Sequence, residues 1–425
     1  MRTMRTGDVL DIDIATSCRG CDEEGLEVIL SLGEMPLANA LLSNEQLNDP
    51  EPRYPLDVAF CARCGLVQLT ASVPPEALFS DYPYYSSYSD AVVDNARRLV
   101  RPMIEERGLG STSLAIEIAS NDGYLLQHYV RAGVRVLGID PAANIAPSAE
   151  ARGVPTLCAF FGEELADDLR AAGYRADVLH AHNVLAHVPR LDDVLRGIAR
   201  ILADDGVAVI ETPYVGDLVE ALEFDTIYHE HLFYYSLTSL DAALRRNGLR
   251  AIDVERIALH GGSLRLLAAR GGAGVHSPAV DSLLASEARA GMASAAYYRG
   301  FADRVATLCG ELRELLAGLK SRGSSIAAYG AAAKGATLLN AAALPDGTLA
   351  FVADRSPHKQ GRSMPGVHIP IVSPDRLLEA MPDYVLLLAW NHAEEIVLQQ
   401  TEYGRRGGRF IVPVPVPRVI ERGGA

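Results

Sequence analysis

The sequence predicts an α/β protein in three parts: a small cysteine-bearing N-terminal domain, then two successive Rossmann-like halves. Three observations predict it. The chain has 425 residues, too many for one ordinary core. Residues 1 to about 80 lack a helical period and hold two Cys-x-x-Cys pairs. Beyond them, apolar strand-like runs alternate twice with helical stretches, the rhythm of a parallel, doubly wound sheet.

In chain order, Tyr54-Pro55-Leu56-Asp57-Val58-Ala59-Phe60 reads as a short strand within a segment rich in Pro, Gly and turn residues. Such a segment has too little core to be stable alone. Residues 89–107 carry a helical apolar period. Ser113–Ala119 reads as a buried strand, followed by a turn and a helix from about Gly123. Strands are expected again at Val134–Asp140, Ala176–His182 and Val207–Glu211. Residues 212–270 are dense in His, Tyr and Glu and read as a site-bearing insertion. Residues 280–322 read as helical, and a second α/β pattern runs through Ser325–Gly330, Leu349–Asp354, Tyr384–Ala389 and Arg409–Pro413. The expected domains are therefore 1–85, 86–270 and 271–425.

Cys18/Cys21 and Cys61/Cys64 can surround one ion with four thiolates, a set that favours Zn²⁺. A redox dithiol would need one pair on a thioredoxin-like strand and helix, which is missing here. Four protein ligands leave no open position, so the zinc is expected to be structural and to supply folding free energy. Gly20 and Gly65 are expected to ease the two tight turns.

The formal charge of −15 argues against a nucleic-acid polymer as partner. No run of about 20 apolar residues suggests a membrane span. The N-terminal residues lack the apolar stretch of a signal peptide, so a cytoplasmic location is expected. No obligate protein partner is evident.

Glu117-Ile118-Ala119-Ser120-Asn121-Asp122-Gly123 lies where a strand passes into a helix, the edge at which such sheets bind ligands. There is no G-x-G-x-x-G. An acid, a small turn and a second acid (Asp140) ending the next strand is the arrangement of class I methyltransferases. On that reading Asp140 accepts the ribose hydroxyls of S-adenosylmethionine, and the turn from Glu117 through Ala119, Asn121, Asp122 and Gly123 passes its methionine part. Asp140 before Pro141 also suits a helix N-cap, and that alternative stays open.

With these stand Tyr82-Pro83-Tyr84-Tyr85-Ser86-Ser87, His182-Asn183-Val184-Leu185-Ala186-His187-Val188-Pro189, Tyr228-His229-Glu230-His231, His260-Gly261-Gly262-Ser263 and Tyr329-Gly330-Ala331-Ala332-Ala333-Lys334-Gly335. In this order, over nearly the whole chain, they resemble the three-domain, zinc-containing C-methyltransferases that act on nucleotide-linked deoxysugars. The resemblance implies transfer of a methyl group to a carbon beside the ketone of a thymidine-diphosphate 4-keto-6-deoxy sugar. It implies His231 as the base, with Glu230, Tyr228, His187 and Tyr82 lining the pocket. It also implies Asn183 beside the cofactor, and His260 and Tyr329 beside the substrate. His229 is given no role.

The chemistry fits the residue types. A C–H beside a ketone is weakly acidic, so a base and a partner for the enolate oxygen are needed. Imidazole titrates near neutrality, and a phenol can donate. If the cluster is extended, Tyr228 and Glu230 face one side and the two histidines the other; if irregular, all four can meet. In the C-terminal half, Lys334-Gly335 is not a Walker A pattern, but Lys334 with backbone N–H groups could hold a diphosphate. Three other readings remain: an O- or N-methyltransferase on another natural product, a NAD-dependent enzyme, and a zinc-ribbon binding module.

Overall fold

The computed structural model describes residues 12–79, 85–258, 261–271 and 276–420. Its N-terminal part carries β1 (Asp13–Ile14), β2 (Glu27–Met35), β3 (Tyr54–Phe60), β4 (Val67–Leu69) and β5 (Ala71–Ser72). β2, β3 and β4 form an antiparallel meander, and β1 pairs with β5. The strand expected at 54–60 turns Leu56, Val58 and Phe60 inward, each 1% exposed. Burying each side chain is worth roughly 1.5–3 kcal/mol. Three strands make a thin sheet, and the fold adds a fourth from far along the chain: Phe233 pairs with Gln68 and Tyr234 with Val67.

The central part contributes β6 (Leu114–Ile118), β7 (Arg135–Ile139), β8 (Thr156–Leu157), β9 (Ala176–His182), β10 (Leu202–Pro213), β11 (the Phe233–Tyr234 strand just described), β12 (Leu249–Ile257) and β13 (Ser263–Arg270). Seven of them form a sheet in the order β8-β7-β6-β9-β10-β13-β12. All run parallel except β13, which is antiparallel to both neighbours. The strands expected at 113–119, 134–140 and 176–182 are β6, β7 and β9. Residues 212–270 are not an insertion throughout, because their second half is the β12–β13 hairpin that completes the sheet. The order reverses between β6 and β9, so the loops after those two strands line one crevice.

Residues 280–322 are helical but broken into Pro278–Ala290, Ala295–Tyr298 and Phe301–Ser321. Gly291 and Gly300, both with positive φ, make the breaks. The last part holds β14 (Ile326–Tyr329), β15 (Val352–Ala353), β16 (Ile371–Val372), β17 (Tyr384–Leu387), β18 (Arg409–Val412) and β19 (Arg418–Ile420). Their order is β16-β15-β14-β17-β18-β19, parallel but for β19. Its switch point lies between β14 and β17, which places Gly330–Lys334 beside Trp390 and Asn391. No helix among the described residues is long and apolar enough to cross a membrane.

Candidate active site and metal centre

The Sγ atoms of Cys18, Cys21, Cys61 and Cys64 all lie within 4.8 Å of one another. Cys18–Cys64 and Cys21–Cys61 are each 3.6 Å apart. A tetrahedron with Zn–S of about 2.3 Å sets its sulfurs about 3.8 Å apart, so the four thiolates fit a structural zinc ion. Gly65 makes its turn as expected, with φ of +72° and its N–H on the Cys61 carbonyl at 2.9 Å. Gly20 does not. The left-handed residue of the first knuckle is Asp22, φ +59°, and Gly20 provides space: a Cβ there would lie 2.8 Å from Leu66 Cδ2.

The crevice after β6 is built from backbone that L-residues rarely adopt. Ala119, Asn121 and Gly123 have φ of +53°, +49° and +76°. Glu117, one residue before the end of β6, is buried, and neither carboxylate oxygen has a partner meeting hydrogen-bond geometry among the described residues. Burial, then the Asp140 charge, holds its carboxyl well above the usual range, with Tyr124 offsetting part of this. A buried acid so weakly partnered beside a strained turn suits a cationic ligand, and S-adenosylmethionine carries an ammonium and a sulfonium. Asp140 caps the crevice: its Oδ2 accepts the Asn121 N–H at 2.8 Å and its Oδ1 the Ala142 N–H at 2.9 Å. Asp122 is bonded by Ser87 Oγ and lies 3.4 Å from Arg152. Asn183, φ +54°, opens the facing loop after β9 with its N–H on the Glu211 carbonyl at 2.8 Å.

Gly123 is tightly enclosed. A Cβ there would lie 3.0 Å from Val154 Cγ2 and 3.4 Å from Ala149 Cα. Gly123→Ala is expected to cost about 1–3 kcal/mol of stability through strain and crowding. It should also weaken S-adenosylhomocysteine binding, read as a smaller ligand-induced rise in Tm.

The Tyr228–His231 cluster is a turn closed by the His231 N–H on the Tyr228 carbonyl at 2.8 Å. Turn geometry, not strand alternation, sorts its side chains. Tyr228 Oη lies 2.9 Å from His231 Nε2. His231 Nδ1 lies 2.8 Å from the Thr226 carbonyl. A carbonyl only accepts, so Nδ1 carries the proton and Nε2 is the basic nitrogen. The His187 ring stands 4.8 Å from that of His231, edge to face, with its Nδ1 2.6 Å from the Glu230 carbonyl. Burial presses His187 down to about 4, so it is neutral at pH 7. Burial raises the Glu230 carboxyl to about 7. His229 turns away against Tyr54, ring centroids 5.9 Å apart. Tyr82 and His260 lie outside the described residues.

Lys334 and Tyr329 do not join this turn. Lys334 Nζ lies 4.5 Å above the Trp390 ring and donates to Asn391 Oδ1 at 2.8 Å. Burial holds its ammonium below the usual lysine value, and the charges of Asp225 and Glu223, on the segment before the Tyr228–His231 turn, offset part of this. Tyr329 is buried and its hydroxyl accepts from Gln400 at 3.4 Å. The Trp390 indole donates to Asp225 at 2.7 Å, and Thr337 Oγ1 to the Ile227 carbonyl at 3.2 Å, so the C-terminal part grips the segment that precedes the turn.

Burial raises Glu223 to about 8, against the pull of Lys334. A carboxyl held above its unfolded value keeps its proton longer in the native state, so stability falls as pH rises from the unfolded to the folded pKa. The depressed histidines stop contributing above about 6.5, and from there to pH 8 the raised carboxyls Glu223 and Glu230, with Glu117 acting in the same direction, govern the slope. Tm of the zinc-loaded protein is expected to fall over that window. Glu223→Gln should remove roughly 1–2 kcal/mol of the loss.

Sequence reasoning missed a buried polar chain across one sheet face. Tyr129 Oη lies 2.9 Å from His180 Nε2, His180 Nδ1 3.0 Å from His182 Nε2, and His182 Nδ1 2.9 Å from Glu211, which Arg265 holds at 2.6 Å. Two histidines spaced by two on a strand, with an acid ending the next strand, was the available signal. Asn39, Glu223 and Asp225 were missed too.

Residues 18–79 match a zinc binding domain family, 94–254 a methyltransferase domain, and 258–415 the C-methyltransferase C-terminal domain. The C-methyltransferase NovU of Streptomyces niveus is 40% identical over 404 residues, covering 95% of this chain and 96% of NovU. Among solved structures, the magnesium protoporphyrin IX methyltransferase ChlM from Synechocystis PCC 6803 with bound SAM is 15% identical, with a TM-score of 0.32 over 43% of this chain and 79% of that one. The CcbJ methyltransferase from Streptomyces caelestis is 13% identical, with a TM-score of 0.32 over 41% and 89%. The near full-length match to NovU decides the assignment: this chain belongs to the S-adenosylmethionine-dependent C-methyltransferase family that includes NovU, with a zinc-binding domain at its N-terminus.

Proposed function

We propose that this C-methyltransferase acts on a nucleotide-linked keto sugar, a thymidine-diphosphate 4-keto-6-deoxy sugar, at the carbon beside the ketone. The observation that carries the base assignment is the hydrogen-bonded pair His231–Tyr228, in which the Thr226 carbonyl fixes the imidazole with Nε2 as acceptor. The sugar class follows the motif order given above. Bound S-adenosylmethionine supplies an electrophilic methyl group.

The protein's residues then divide the work. His231 Nε2 takes the proton from the ring carbon, and the Tyr228 hydroxyl turns from the imidazole to donate to the enolate oxygen. His187, neutral and held by the Glu230 carbonyl, presents an acceptor nitrogen to a sugar hydroxyl. Glu230 binds a hydroxyl or amine of the sugar, and the resemblance assigns Tyr82 to the same substrate. Glu117, Ala119, Asn121, Asp122, Gly123, Asp140 and Asn183 hold the cofactor. His260, Tyr329 and Lys334 are assigned to substrate binding.

The test is incubation with S-adenosylmethionine and the thymidine-diphosphate 4-keto sugar in deuterated water. Exchange at one ring carbon and methylation at that carbon are expected. Methylation at oxygen or nitrogen without exchange would overturn the proposal in favour of an O- or N-methyltransferase.

A further inference from the structure

Besides the Tyr54 ring against His229, the zinc-bearing sheet reaches the Tyr228–His231 turn through two kinds of hydrogen bond. One is backbone: β11 pairs with β4, and the Leu69 N–H donates to the Leu232 carbonyl at 2.8 Å. The other is a side chain. Asn39, on the loop leaving β2, donates from Nδ2 to Glu230 Oε1 at 2.6 Å, across 191 residues.

Backbone pairing alone would dock the segment. An amide aimed at a carboxylate does something else. Glu230 is 5% exposed, and Asn39 is the one described group that works against its burial. The neighbouring titratable groups engage other atoms: His187 holds the Glu230 carbonyl, His231 pairs with Tyr228, and His229 packs on Tyr54. Asn39 thus fixes Oε1, while Oε2 has no protein donor among the described residues.

We propose that Asn39 is a positioning residue of the active site, through which the zinc-bearing domain orients Glu230 toward the substrate. The inference deepens the proposed function and rests on it. One hydrogen bond to a carboxylate is worth about a tenfold effect.

The experiment compares Asn39→Ala in two parents, wild type and Glu230→Ala, with zinc content confirmed in each. In the wild-type parent kcat should fall about tenfold with KM for S-adenosylmethionine unchanged. The acid limb of its pH profile should move up by about half a unit or more. In the Glu230→Ala parent, which has no acceptor for the Asn39 amide, the same substitution should add no further loss. Equal losses in both parents, or an unmoved pH profile, would overturn the proposal. If Asn39→Ala loses zinc, Asn39→Asp is read the same way, with a larger upward shift. Tm against pH gives a readout that needs no substrate: Asn39→Ala should steepen the fall between pH 7 and 8 only where Glu230 is present. If no keto sugar is methylated at all, the proposed function fails, and the Tm comparison still decides the role of Asn39.

Discussion

Stripping zinc from the enzyme, or replacing Cys61 with Ser, is expected to abolish methyl transfer although no cysteine belongs to the Tyr228–His231 turn proposed to carry the chemistry. A structural zinc contributes apparent binding free energy of about 10–16 kcal/mol, comparable to or above the whole stability of a typical domain. The sheet it anchors is thin, and its strand β4 lies between β3 and the β11 strand that follows the catalytic turn. Loss of the sheet removes the β4 pairing, the Asn39 bond and the Tyr54 packing together. A displacement of about 1 Å at reacting groups can cost about 100-fold in rate, so at least that loss is expected. Zinc content, activity and amide exchange over residues 54–69 and 228–235 check it. Exchange should rise in both stretches at once. Retained activity in zinc-free protein would show that the turn holds its geometry without the sheet.

The second large effect is expected at His231. His231→Asn keeps a donor for the Thr226 carbonyl and removes the basic nitrogen. Loss of a general base costs about 10²–10⁴-fold. kcat should fall by that range while S-adenosylhomocysteine affinity stays unchanged. Deuterium exchange at the ring carbon should fall in the same proportion, because one proton transfer governs both. Tyr228→Phe removes the partner of Nε2 and the donor for the enolate oxygen, and should cost about 10²–10³-fold. A variant that lost methylation but kept exchange would place His231 after deprotonation.

What the sequence disclosed follows from how far each signal reaches. The strands at 113–119, 134–140 and 176–182 were legible because parallel strands buried on both faces are unbroken apolar runs. The cysteine pairs were legible because knuckle spacing is local. β11 was not, since two residues, Phe233 and Tyr234, carry no period, and their partners lie more than 160 residues away. The β12–β13 hairpin was hidden by the polar residues around it. Asn39 was invisible for the same reason as β11: nothing near it announces an acid 191 residues on. The sorting of Tyr228, His229 and His231 depended on a turn, and the sequence left strand and turn equally open.

The borrowed strand also bears on how the protein is made. During translation, Val67–Leu69 leaves the ribosome roughly 160 residues before Phe233–Tyr234. At about 5–20 residues per second that is about ten to thirty seconds. For that interval the nascent cysteine-bearing meander presents an open edge whose N–H and C=O groups can recruit any passing strand, including one from a neighbouring nascent chain. Rapid zinc capture does not close that edge. Slowing initiation, to space ribosomes further apart on the message, is therefore the lever that should raise soluble yield.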